Sequence, residues 1–146
     1  MSDQDVALIV GAGSGLSASL ARRFSSAGMK VALAARDTEK LLGIQSETGA
    51  HLYACDTVET NQVHALFESV VRDLGTPTVV VSNASSRVRG TITEIDPGEV
   101  KKALLITAYG GFLVGQAAAK LMVPAGSGTI MFTGASAGVK GFPMRV

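Results

Sequence analysis

At 146 residues, with 47% hydrophobic and 17% charged residues, the chain can bury the core of one domain, and nothing in its composition marks a second; residues 1–146 are read as a single domain. A net charge of +1 with no long basic run gives no electrostatic footprint for nucleic acid or an anionic membrane surface. Cys55 is the only cysteine and has no internal disulfide partner, and Ser2-Asp3-Gln4-Asp5 lacks the basic stretch of a secretory leader, so a reducing, cytoplasmic setting is expected.

The first element is a short apolar strand, residues 6–10, followed at once by Gly11-Ala12-Gly13-Ser14-Gly15-Leu16-Ser17. Glycines between a strand and a helix let the backbone turn tightly and approach a ligand, while the unpaired N–H groups and dipole of the helix hold a pyrophosphate. Leu16, Leu20, Phe24 and Ala27 then recur at helical spacing, and Gly28 stands where the helix would stop. A second strand is predicted at 30–35, a weaker and shorter helix at 38–49, and a third strand at 51–55. Val63, Leu66, Phe67, Val70 and Leu74 mark the apolar face of a third helix closed by Gly75 and Pro77.

The fourth strand, 78–82, is followed by the longest loop, 83–95. At Asp96-Pro97-Gly98-Glu99 a fourth helix begins, with Asp96 as cap, Pro97 at the first helical position and Glu99 placed for a capping box; Pro124 is expected to end it. Residues 103–123 are about as long and apolar as a membrane span and contain Gly111-x-x-x-Gly115, a spacing found in paired membrane helices. Thr107, Gln116 and Lys120 within the run, and the strand-helix repeat around it, favour instead a helix packed on the sheet or against another subunit, hence a homo-oligomer and no membrane. A fifth strand is predicted at 129–133. Alternating strands and helices predict an α/β fold with a parallel sheet covered on both faces, whose ligands bind at the carboxyl ends of the strands.

Methyltransferases, flavoproteins and dehydrogenases all place glycines in such a turn. Here Gly11-x-x-x-Gly15-x-Ser17 is joined by Ala34-Ala35-Arg36 at the end of the second strand, Cys55-Asp56 at the third and Ser82-Asn83-Ala84-Ser85 at the fourth. In that order and spacing the chain resembles the short-chain dehydrogenase/reductase family along its whole length, each motif being imperfect. The resemblance implies a doubly wound, three-layered Rossmann-like sheet of order 3-2-1-4-5 and a dinucleotide cofactor held by Gly11, Gly13, Ser14, Gly15, Leu16, Arg36, Cys55, Asp56, Asn83, Ala84 and Ser85. Ala35 stands where NAD-preferring relatives carry an acid, and an arginine suits a 2′-phosphate, so NADP(H) is expected rather than NAD(H), unless Arg36 is a solvated surface charge. The missing acid also counts against a methyltransferase.

By the same resemblance Asp56 accepts from the adenine amino group, a role compatible with capping the following helix, and Asn83 ties neighbouring strands together. Ser17 replaces a third glycine and is expected to widen the gap between helix and strand. The family's catalytic serine position falls on Ala135, with Ser136 one residue along as the candidate hydroxyl, and its helical asparagine falls on Thr107. Its tyrosine and lysine would lie beyond Val146, since the sequence has no Tyr-x-x-x-Lys; Tyr109 reads as a packed helix residue. His51 and His64 lack a metal-ligand pattern, so no metal is expected, and Arg87 and Arg89 are either solvated or placed to steer an anion. The expected function is an NADP(H)-binding domain of a reductase acting on a small carbonyl or alcohol, with catalysis by this chain alone unsupported. The alternative is a non-catalytic nucleotide-sensing or protein-interaction module built on the apolar fourth helix and the edge of the fifth strand.

Overall fold

The computed structural model describes residues 4–141. Five strands form one parallel sheet of order β3-β2-β1-β4-β5: β1 (Val6–Val10), β2 (Lys30–Ala35), β3 (His51–Ala54), β4 (Val79–Ser82) and β5 (Thr129–Phe132). This is the order expected of a doubly wound fold. The expected strands at 51–55, 78–82 and 129–133 each run one residue past the observed ladder. Hydrogen bonds continue there nonetheless, from Cys55 N to Ala35 O, Thr78 N to Val6 O and Thr133 N to Ser82 O.

β1 sits at the centre and is buried along its whole length, as a strand covered on both faces must be. Its side chains alternate. Val6, Leu8 and Val10 join Val80 beneath α3 (Thr60–Leu74) and α5 (Gly110–Ala125), while Ile9 joins Val31, Leu33 and Val81 beneath α1 (Leu16–Ser26) and α2 (Leu42–Thr48). Helix α3 buries all five residues of its expected face, Val63, Leu66, Phe67, Val70 and Leu74. Each such side chain stabilises the fold by roughly 1.5–3 kcal/mol.

Helix α1 departs from the expected pattern. Its buried residues are Ser17, Ala18 and Ala21, whereas Leu16 is 53% exposed and Leu20 and Phe24 are only partly covered. Small side chains let this helix lie close on the sheet, and closeness outweighs the burial of larger ones at its start. Residues 38–49 divide into a 3-10 turn, Glu39–Leu41, and α2, which ends on Gly49 at φ +70°.

The long fourth helix is also divided. Asp96 caps α4 (Pro97–Leu104) by accepting from the Glu99 N–H, as expected, but Leu105–Tyr109 forms a π-helical turn before α5 begins. Pro124 does not end it. The proline sits inside the last turn of α5, and the left-handed Gly126, φ +68°, terminates the helix. The 29-residue stretch Pro97–Ala125 is long and apolar enough by composition to cross a bilayer, yet seven residues of α5, from Gly110 to Met122, are buried in the core. The Gly111-x-x-x-Gly115 spacing packs against the ring of Phe132 on β5; a Cβ on Gly115 would stand 2.8 Å from Phe132 Cζ.

Candidate functional site

Gly11 is a glycine of necessity. Its φ is +80°, and a Cβ there would lie 2.2 Å from Ala84 N and 2.4 Å from Ala84 Cα, both backbone atoms. The Gly11 and Ala12 N–H groups both donate to Ala34 O at 2.9 Å, which locks the turn onto β2. Gly13 and Gly15 are different: a Cβ on either would meet nothing within 4 Å. Their smallness leaves open space in front of α1, whose N-cap, Gly15, provides no side-chain cap for the first-turn amides. A helix start with free N–H groups facing open space suits phosphate oxygens, so the residues present fit a dinucleotide.

Ser17, expected to prise the helix away from the strand, does the opposite. It is 1% exposed, accepts from Asn83 Nδ2 at 2.8 Å and donates to Gly11 O at 3.4 Å. Asn83 in turn donates its backbone N–H to Val10 O at 2.8 Å. Serine and asparagine therefore bolt the loop after β4 to the glycine turn. Since a net hydrogen bond contributes about 1 kcal/mol, the hydroxyl offsets the extra atoms it brings.

Above these carboxyl ends lies a cavity of about 620 Å3. Gly11 and Ala12 form one wall, Ala35, Arg36, Asp37 and Lys40 a second, Cys55, Asp56 and Thr57 a third, and Asn83, Ala84, Ser85 and Ile106 the last. Of the expected site residues the fold brings together Gly11, Arg36, Cys55, Asp56, Asn83, Ala84 and Ser85; Gly13, Ser14, Gly15 and Leu16 are not part of this wall and mark the start of α1 beside it. Asp37, Lys40, Thr57 and Ile106 escaped the sequence reading. Lys40 had a signal, a cation four residues after Arg36 at the opening of a helical segment.

Arg36 is exposed and has no hydrogen-bond or ion-pair partner among the described residues. The carboxylate nearest it in sequence is already engaged: Asp37 Oδ1 accepts from Glu39 N at 3.0 Å and Oδ2 lies 3.5 Å from Lys40 Nζ. Asp56 does not cap α3, whose N-cap is Glu59; its Oδ1 accepts from Val58 N at 3.2 Å in a local turn, and its own N–H donates to Gln62 Oε1 at 2.8 Å. Cys55 is buried beside it. Burial first, and the Asp56 charge second, push its thiol up to about 11. The thiolate is the reactive form, so Cys55 in the native protein at pH 8 is expected to react with iodoacetamide far more slowly than in urea, followed by mass spectrometry; equal rates would contradict this burial.

A second cavity, of about 460 Å3, adjoins the first. Ser86 and Thr107 line it, whereas their chain neighbours Ser85 and Ile106 line the first cavity. Thr107 belongs to the π-helical turn, and its Oγ1 accepts from Ser86 N at 3.0 Å. Ala135 and Ala137 also face the second cavity; Ser136, between them at the start of a 3-10 turn, is exposed and not part of its lining.

Neither tyrosine lines either cavity. Tyr53 donates to Asp73 Oδ2 at 3.1 Å, and burial together with that carboxylate pushes it up to about 12, so it holds its proton. Tyr109, expected to be packed, is 42% exposed with its ring stacked on Phe112 at 6.5 Å. Among the described residues no three of His, Cys, Asp and Glu come together as metal ligands.

Known proteins share this fold. The profile of the short chain dehydrogenase family matches residues 5–146. A (+)-borneol dehydrogenase of Salvia officinalis is 33% identical over 93% of this chain and 55% of its own length, so the chain spans about half of such relatives. Among solved structures, an actinorhodin polyketide ketoreductase with NADPH superposes with a TM-score of 0.93 at 28% identity, covering 99% of this chain and 58% of that one. An NAD+-bound xylitol dehydrogenase does so with 0.91 at 28% identity and the same coverage. The profile match along nearly the whole chain and the agreement in overall fold place it: the chain belongs to the short-chain dehydrogenase family.

Proposed function

We propose that this protein binds NADP(H) in the larger cavity and serves the reduction of a small carbonyl compound or oxidation of the corresponding alcohol. The observation that carries the cofactor preference is Arg36, a cavity-wall guanidinium without a partner among the described residues, next to Ala35 where a carboxylate would favour a ribose hydroxyl. Asp37, which follows Arg36, turns its carboxylate to the Glu39 N–H and Lys40.

In this reading the glycine turn and the first-turn amides of α1 hold the pyrophosphate, Arg36 takes the 2′-phosphate, and Asp56 accepts from the adenine amino group with its free Oδ2. Asn83, fixed by Ser17, sets the loop of Ala84 and Ser85 beside the ribose. NADPH supplies the hydride. Ser136 is the proposed hydroxyl for the substrate oxygen, and the proton donor is proposed to come from outside the 146 residues. In a protein that carries that donor as well, replacing Ser136 by alanine is expected to lower turnover on the order of a hundredfold with NADPH affinity unchanged; unaltered turnover would move that role elsewhere.

Calorimetric titration of the protein with NADPH and, separately, NADH tests the reading. Micromolar binding with NADPH preferred is expected, and equal binding of both would remove the Arg36 role. A folded sample that binds neither would favour the protein-interaction alternative. That alternative draws on Leu104, Leu105, Phe112 and Val123, which stand exposed along Pro97–Ala125. The same residues support assembly with a second copy, which light scattering would read, and a reducing, cytoplasmic setting belongs to the same proposal.

A further inference from the structure

The smaller cavity is chemically lopsided. Val88, Val100, Ala103 and Leu104 give it an apolar body, while Arg87 and Arg89 carry the only charges in its lining. No carboxylate joins them there, and neither arginine has a hydrogen-bond or ion-pair partner among the described residues. At about 460 Å3 the cavity falls in the size range of small-molecule sites.

An uncharged apolar occupant would use the walls and gain nothing from the guanidinium groups. A cationic one would be repelled. A molecule with an apolar body and an anionic oxygen head gains from both, through contact with the half-covered apolar side chains of α4 and through charge-assisted hydrogen bonds to the two exposed guanidinium groups. We infer that this cavity selects an apolar substrate bearing a carboxylate or phosphate ester, with its head at Arg87 and Arg89 and its body against α4. The inference rests on the reductase reading, because the Ser86–Thr107 wall is what sets this occupant beside the cofactor cavity.

Fluorine NMR titration of the NADPH-saturated protein tests it with three probes that share one body: 4-(trifluoromethyl)phenylacetate, 4-(trifluoromethyl)phenyl phosphate and the neutral 4-(trifluoromethyl)phenylacetamide. At least one anion is expected to bind about tenfold more tightly than the amide, and the tighter of the two names the head group. The preference is expected to shrink in high salt and to vanish in the Arg87→Gln/Arg89→Gln protein, with amide binding unchanged. NADPH affinity of the double variant, measured separately, reports that it is folded. The inference is overturned if the amide binds as well as both anions, if no anion binds, if the preference survives the double substitution, or if NADPH displaces the anion. An anion preference that depends on Arg87 and Arg89 in a protein that fails to bind NADPH would instead sink the cofactor reading and leave the anion site standing.

Discussion

Valine at position 11 is expected to abolish NADPH binding and to destabilise the protein by several kcal/mol. A residue with a side chain at φ +80° costs roughly 1–2 kcal/mol by itself. The larger effect is steric, since the Cβ would sit 2.2 Å from Ala84 N and 2.7 Å from Asn83 C, backbone atoms that cannot rotate away. Relief requires the loop after β4 to move, and the Asn83 bonds to Val10 O and Ser17 Oγ go with it. Gly13→Ala makes the contrast. Its Cβ meets nothing within 4 Å and its φ is not positive, so stability should hold while the methyl group occupies the space proposed for phosphate. Urea unfolding and NADPH titration of both variants check this: a Gly11→Val protein within about 1 kcal/mol of the parent would contradict the packing described.

Arg36→Ala is expected to raise the Kd for NADPH by about ten- to a hundredfold and to leave that for NADH within about twofold. Hydrogen bonds to a charged partner are worth roughly 1.5–3 kcal/mol, and removing the guanidinium disrupts nothing else, because no described group is bonded to it. Arg36 is exposed, so the loss should sit toward the lower end in physiological salt and grow at low ionic strength. Calorimetry at two salt concentrations reads both features. An equal loss for NADPH and NADH would mean that Arg36 supports the cavity as a whole.

Much of this architecture is legible in the chain. The β-branched run at 6–10, the five apolar residues of α3 and the Asp96 cap follow from local patterns, and they stand where periodicity puts them. The cofactor residues are named through the family resemblance, and Gly11, Arg36, Asp56 and Asn83 line one cavity because strand ends in a parallel sheet share one edge. What escaped depends on partners distant in sequence. Ser17 read as an intruder because its partner Asn83 lies 66 residues away. The buried side of α1 is made of small residues that a hydrophobic pattern underrates, and Pro124, which gives up the N–H that would bond the Lys120 carbonyl, still leaves the helix running to Ala125. The π-helical turn carries no local sign; its Thr107 is matched to Ser86 on a different loop.

That contact has a thermodynamic consequence. Two neighbouring pairs, Ser85 with Ser86 and Ile106 with Thr107, divide their side chains between the cavities, so the partition is a single residue thick on each strand of chain. A guest that displaces the partition from one side alters the room on the other, and a guest that stiffens it lowers the ordering entropy left for the second. If both cavities take the guests proposed for them, the two binding equilibria would be linked through these four residues, and by the same factor in both directions.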